Sequence, residues 1–263
     1  MFNRVFTVLK CCGFTPMAAT NEFSHSMTEP VRPRHRSLLW VTAVLLATVL
    51  LWDACGLDLA VMHVWGSAQG FELKDHFLLS GWLHNRGQQA SVVIFLLMWL
   101  LVLFPMGPWR ALTRRERTAS ALAVTASVLT ISLLKHFSLT SCPWDLRVFG
   151  GAADYVSHWA WGVADRGSGK CFPGGHASSA FGFLAVSMPF LLSGQAQLRR
   201  YGWRLLGTIV LVGLVFGLTQ TVRGAHYPSH TLWTAWICWA VGLLVYQLVS
   251  ARRAACPVPD RAD

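Results

Sequence analysis

The sequence predicts an all-α polytopic membrane protein, a bundle of six transmembrane helices with polar clusters at the outer ends of spans three to six. Three observations carry this prediction. The 263-residue chain is 54% hydrophobic and only 13% charged, against roughly 25% charged in an average soluble domain. It contains 13 Trp, and that much apolar surface does not fit one soluble core with a solvated exterior. Its apolar runs are separated by loops of unequal basicity. The net charge of +10 follows the loops rather than a nucleic-acid face.

Taken in order, residues 1–36 read as a cytoplasmic N-terminal tail with Arg4, Lys10, Arg32, Arg34 and Arg36. Phe2 to Leu9 is too short for a signal peptide, and no small-residue cleavage site follows it directly. The first span runs from Ser37 to Trp52, with room to continue through Gly56. Asp53 to Gln89 holds Trp65, Phe71, Phe77, Trp82 and His84 but no long uncharged run, which suits an outer, partly interfacial helix. Span two is Ala90 to Met106, followed by a basic loop with Arg110, Arg114, Arg115 and Arg117. Span three is Ser120 to Leu134, ending at Lys135, and a long loop covers residues 136–175. Span four is Ala177 to Leu192, and a second basic loop carries Arg199, Arg200 and Arg204. Span five is Leu205 to Gln220. Span six is Thr231 to Ser250, and residues 251–263 form a cytoplasmic C-terminal tail. Residues 37–250 are thus one membrane domain.

Of the 22 Lys and Arg, 15 fall on the tails and the loops after spans two and four. Seven fall on the other side, whose loops are longer. The positive-inside rule makes the 15-residue side cytoplasmic. Cys11, Cys12 and Cys256 lie on that side and should be reduced, whereas Cys55, Cys142 and Cys171 lie outside, where a disulfide can persist. A Cys142–Cys171 bond would tie two polar clusters together; the alternative is two free buried thiols. No close Cys or His pair with zinc spacing accompanies them.

The outer clusters are Lys135 to Arg147, Cys171-Phe-Pro-Gly-Gly-His176, and Arg223-Gly-Ala-His-Tyr-Pro-Ser-His230. Singly, a cation at a helix end snorkels, and a lone histidine is as often structural as catalytic. Together they make the inventory of a phosphate site. Amides at a helix N-terminus point at an anion, Lys135 and Arg223 neutralise its oxygens, one histidine attacks phosphorus and another protonates the leaving oxygen. That chemistry needs no metal.

These motifs resemble the membrane branch of the type 2 phosphatidic acid phosphatase superfamily. Its pattern is Lys, six residues, Arg-Pro; then Pro-Ser-Gly-His; then Ser-Arg, five residues, His, three residues, Asp. Lys135 matches, with Cys142-Pro143 in the Arg-Pro place. Pro173-Gly174-Gly175-His176 matches with Gly174 for Ser. His226 matches in the third motif, with Thr219-Gln220 in the Ser-Arg place and His230 where Asp belongs. Arg223 is one turn beyond Gln220 and shares its face, so it can supply the missing guanidinium. Arg147 can replace the first-motif Arg. Asp145 is the first candidate for the missing carboxylate, ahead of Asp154 and Asp165. His230 competes with His226 as nucleophile, and His226 is preferred because the His-Tyr-Pro-Ser frame matches it.

The resemblance implies a bacterial inner-membrane lipid phosphatase with a periplasmic active site, working through a phosphohistidine and without a cofactor. His226 is then the nucleophile, His176 the proton donor, Lys135 and Arg223 the phosphate-binding cations, and Gly174, Gly175, Arg147, His230 and Asp145 the substrate-binding set. A lipid A phosphotransferase and a non-catalytic phospholipid-binding protein are the alternatives.

Overall fold

The apolar runs become helices, and most helices outlast the runs. A computed structural model describes residues 32–250, with side chains from Ser37 onward. Most of the predicted N-terminal tail and all of the C-terminal tail, with Cys11, Cys12 and Cys256, lie outside the described residues. Five helical stretches are long and apolar enough to cross a membrane: Ser37–Ala54, Leu78–Ala111, Arg114–Phe137, Ala196–Val222 and Pro228–Ser250. They belong to α1 (Arg32–Ala54), α3 (Gly87–Leu103), α4 (Arg114–Phe137), α7 (Ala196–Val222) and α8 (Pro228–Ser250). A π-helical stretch, Leu78–Arg86, leads directly into α3. The predicted span four is shorter, Ser178–Leu191. There α5 (Ser178–Phe181) and α6 (Met188–Leu191) flank a 3-10 stretch, Gly182–Ser187.

Two predicted boundaries are corrected. Arg114, Arg115 and Arg117 stand on the first turn of α4, because Thr113 and Glu116 form a capping box that starts the helix ahead of its apolar run. Arg199, Arg200 and Arg204 stand on α7, which begins at Ala196. Arg199 bonds the Gly194 carbonyl at 2.7 Å, and Arg115 reaches the Val249 carbonyl at 2.7 Å.

The centre of the protein is α4 packed along α8, with the Ser178–Leu191 segment wedged beside them. The contact face of α4 is small: Ala119, Ser120, Ala121, Ala123 and Ser127 are all fully buried. Small residues let helix backbones approach where lipid removes the hydrophobic drive for association. Ser127 uses the closeness to bond the Cys238 carbonyl at 3.1 Å. On α7, a Cβ at Gly217 would meet Thr231 Cγ2 at 2.2 Å, so α8 could not sit where it does against any other residue. The outer faces are the reverse of a soluble protein. Only 11% of the α1 and α3 span windows is buried, and Trp40, Leu51, Val93, Leu96 and Leu103 lie open. A contiguous apolar exterior of that extent is a lipid-facing surface.

The Asp53–Gln89 stretch is more structured than its sequence suggests. It holds α2 (Leu57–Trp65), a two-stranded antiparallel hairpin of β1 (Gly66–Ser67) and β2 (Gly70–Phe71), and the π-helical stretch. Met62 and Phe71 pack with Leu146, Phe149, Ala153 and Tyr227 in a second apolar cluster. That cluster seats the long loop over the ends of α7 and α8. Asp58 on α2 accepts from the Ser229 amide at 3.0 Å, and from the Ser229 hydroxyl, at the start of α8. It therefore caps α8 from another element and complements its dipole.

Candidate functional site

Three polar segments meet at one end of the bundle. Lys135 comes from the last turn of α4, His176 and Gly175 from the turn that enters α5, and His226 from the short link between α7 and α8. All four line one cavity of about 690 Å³, together with His84, Ser178 and Ser179. Gly175 is tight against Lys135: a Cβ there would lie 3.2 Å from Lys135 Cδ and 3.3 Å from Nζ. The turn is held by Thr234 Oγ1 on the Gly174 carbonyl at 3.1 Å and passes through a cis Phe172–Pro173 bond.

Among the described residues nothing accepts from the Gly175 and His176 amides. They stand in the turn just ahead of α5, and both residues line the cavity with Lys135. Gly174 differs. Its N–H donates to the His230 carbonyl at 3.2 Å, so it is a structural bond and not an anion donor as predicted.

His226 is buried, and its Nδ1 faces Cys171 Sγ at 3.3 Å. Burial first, and then the Lys135 charge, hold its imidazole well below the ordinary histidine range, so it stays neutral at neutral pH. Its Nε2 is the nitrogen free for chemistry. His176 donates or accepts through Nε2 at the Leu83 carbonyl, 3.1 Å away; a carbonyl accepts only, so Nε2 carries the hydrogen. Burial pushes the His176 pKa down to about 4, with the nearby His84 adding to the effect.

Cys142 and Cys171 are joined in a disulfide, with Cα atoms 5.2 Å apart. Their sulfurs and a His226 nitrogen lie within 4.8 Å of one another. That is a soft-metal donor set only when the disulfide is reduced, because the thiolate is the ligand.

Other predicted site residues are placed elsewhere. Arg223 does not line the cavity. Its Nε donates to the Lys74 carbonyl at 2.8 Å and its Nη1 to Gln220 Oε1 at 3.3 Å, so it shares a face with Gln220 but stands behind the site. Its charge still contributes to the lowered His176 pKa. Arg147 is on the surface, paired with Asp154 at 3.4 Å, its side chain 59% exposed. Asp145 accepts from Ser168 at 2.9 Å and Asp165 from Ser141 Oγ at 2.8 Å. None of the three aspartates faces His226, because each is engaged in fixing the long loop. His230 is also structural. It is 1% exposed, its Nδ1 lies 2.9 Å from the Cys171 carbonyl, and its ring centre is 5.9 Å from that of His226.

The sequence reading missed two groups. His84 lines the cavity, with its ring centre 4.4 Å from that of His176. Behind the turn, His158 stacks on Phe172 at 4.4 Å and pairs with Asp53, which also accepts from Trp159 and Trp233 Nε1 at 2.9 and 2.8 Å. A histidine in an aromatic stretch was the only signal for either.

Fold and site define a helical membrane protein with a cavity lined by histidines and Lys135 at one end of the bundle. Residues 118–254, just over half of the chain, match the PAP2 superfamily, and the chain belongs to that superfamily. Membership points to phosphatase or phosphotransferase chemistry on phosphate esters. No curated protein and no solved structure matches the chain.

Proposed function

We propose that the protein is a bacterial inner-membrane lipid phosphatase with both termini cytoplasmic and its site on the periplasmic side. The observation that carries this reading is the shape of the cavity. Lys135, His84, His176 and His226 close its polar end, and from there it runs between α3 and α4 past Val92, Phe95, Val128, Leu129 and Phe183. A phosphate headgroup suits the first part and an acyl or prenyl chain the second. The basic residues Arg114, Arg115, Arg199 and Arg200 stand at the opposite helix ends, which supports the orientation. In this reading Ser178–Leu191 completes a six-span bundle. Its eight α and six 3-10 residues rise about 24 Å, most of a hydrocarbon core of about 30 Å.

In the first step His226 Nε2 forms a bond to phosphorus as the ester P–O bond breaks. Lys135 Nζ and the Gly175 and His176 amides hold the non-bridging oxygens, and Arg223 adds positive potential from behind. The leaving oxygen takes a proton from the imidazole wall of His176 and His84. Water then attacks phosphorus, the N–P bond breaks, and inorganic phosphate leaves.

The test is phosphate release by purified protein in detergent. Substrates are phosphatidate, phosphatidylglycerol phosphate, undecaprenyl diphosphate and lipid A phosphates, each beside a soluble phosphate ester and with and without EDTA. Lipid phosphates should turn over far faster than the soluble ester, and His226→Ala should abolish release. Labelled phosphate appearing in a second lipid would make the protein a phosphotransferase. Strong inhibition by EDTA would overturn the metal-free mechanism, and no release from any substrate would overturn the assignment.

A further inference from the structure

We propose that Cys171, oxidised in its bridge to Cys142, is the positioning residue of His226: it keeps the ring hydrogen on Nδ1 and leaves Nε2 bare for phosphorus. The inference deepens the phosphatase reading and rests on it.

Three observations lead there. First, among the described residues no carboxylate bonds the His226 ring. Which nitrogen of a histidine carries the hydrogen is set by the bond that the other nitrogen makes, so another group sets it here. Second, the partner is Cys171 twice over. Its Sγ lies 3.3 Å from Nδ1, and its backbone carbonyl accepts from the ring as well. The Cys171 N–H is spent on the Thr140 carbonyl at 2.9 Å. A carbonyl oxygen accepts only, and a sulfur in a disulfide carries no hydrogen. Both partners are acceptors, so the hydrogen stands on Nδ1. Third, the carbonyl is itself held. His230 Nδ1 lies 2.9 Å from the same oxygen and donates to it. One carbonyl with two lone pairs takes both rings, and His230 anchors the acceptor instead of being one.

The bridge is part of this device. A free Cys171 thiol would bring an S–H to within 3.3 Å of Nδ1. Whether it donated to Nδ1 or passed its proton there and became a thiolate, the hydrogen left on Nε2 would block attack. Oxidation removes that hydrogen. In the reaction the Nε2 lone pair forms the N–P bond as the ester P–O bond breaks, and the ring becomes cationic with Nδ1–H still on the Cys171 carbonyl. When water attacks phosphorus and the N–P bond breaks, the pair returns to Nε2. Nδ1 neither gains nor loses a proton.

The experiment has two arms. The first is nitrogen NMR of wild-type protein in detergent with isotope-labelled histidine, the His226 signals being those absent from His226→Ala. The expected pattern at neutral pH is a hydrogen on Nδ1 and none on Nε2. A hydrogen on Nε2 overturns the proposal and leaves the phosphatase reading standing. The second arm compares Cys142→Ala, which leaves Cys171 as a thiol, with Cys142→Ala/Cys171→Ala, which has no sulfur and keeps the carbonyl. Neither has the bridge, so a merely structural role predicts equal or greater damage in the double variant. The expected order is the reverse. A wrong tautomer costs up to about 10⁴-fold in a comparable histidine site, so kcat of the single variant on a lipid phosphate should fall at least about tenfold below that of the double, with KM alike. Equal values, as when the thiol donates to the Ala225 carbonyl 3.2 Å away, or a slower double variant, overturn the role of the bridge. If neither variant folds, the wild-type tautomer decides. Wild-type protein that releases phosphate from no lipid overturns the phosphatase reading, and this role with it.

Discussion

Cys171 Sγ lies 3.3 Å from His226 Nδ1, so the disulfide borders directly on the imidazole that faces the cavity. A carboxylate would hold such a histidine by a charge-assisted bond. Here the Cys142–Cys171 bridge occupies that flank, and Cys171 lies beside the His226 ring in place of a carboxylate. Replacing both cysteines by serine should cost stability and activity together. The bridge closes a separation of 29 residues, for which the chain-entropy relation gives about 3–4 kcal/mol. The thermal midpoint in detergent should drop by several degrees and turnover by at least tenfold. Dithiothreitol should reproduce both effects on the wild type, and an unchanged midpoint after confirmed reduction would contradict the role assigned to the bridge.

Stability should fall as the solution becomes acidic, through the buried histidines. Above the unfolded-state value of about 6.5, His176 and His226 are neutral whether the chain is folded or not, and their environment costs nothing. As pH falls from about 6.5 toward about 4, the unfolded chain binds protons that folded His176 does not. That difference removes about 3 kcal/mol by the lower end of the range. His226, also lowered by burial, adds to it. The midpoint should decline from pH 7 to pH 4.5, and the decline should be shallower in His176→Asn. Parallel curves for the two proteins would argue against a neutral buried His176.

Asp58 offers a test of fold separate from catalysis. Its carboxylate accepts from the Ser229 amide and from Trp52 Nε1 at 2.9 Å. Asp58→Ala removes a helix cap and leaves buried donors unpaired, at a cost of about 2–4 kcal/mol. Asp58→Asn should cost less. The readout is the thermal midpoint, with phosphate release at low temperature retained by the fraction that folds.

Gly175→Ala should injure the site without unfolding it. The new Cβ would stand 3.2 Å from Lys135 Cδ and push the ammonium group aside by a few tenths of an ångström. Displacements approaching 1 Å cost about 10²-fold, so a loss of about tenfold in kcat/KM with an unchanged midpoint is the expected result. Arg147→Ala and Asp145→Asn are the matching controls. Both residues sit in the long loop away from the cavity, and activity should stay within about twofold, with stability within about 0.5 kcal/mol.

The parts of the site that could be read from the chain are those set by local spacing. Lys135 ends an apolar run, Gly175 and His176 precede another, and His226 lies between two more, so the helices themselves deliver them to one end. What could not be read is what depends on distant partners. His84 sits in a stretch with neither helical period nor long apolar run, and its value comes from a ring on a segment far along the chain. Asp145, Asp154 and Asp165 look alike in sequence, and only their contacts with Ser168, Arg147 and Ser141 show that they are engaged away from His226. Arg223 was placed correctly beside Gln220 by helical spacing, but its engagement with the Lys74 carbonyl was not accessible that way.

Asp53 belongs to α1, yet it receives bonds from His158 and Trp159 in the long loop and from Trp233 in α8. His158 in turn lies flat on Phe172, at the head of the glycine turn. The region that carries the family signature begins at residue 118, well after Asp53. A chain shortened to that region would keep every motif and lose the carboxylate on which three donors converge. The recognisable portion and the smallest working portion of this protein are therefore different lengths, and the first helix belongs to the second.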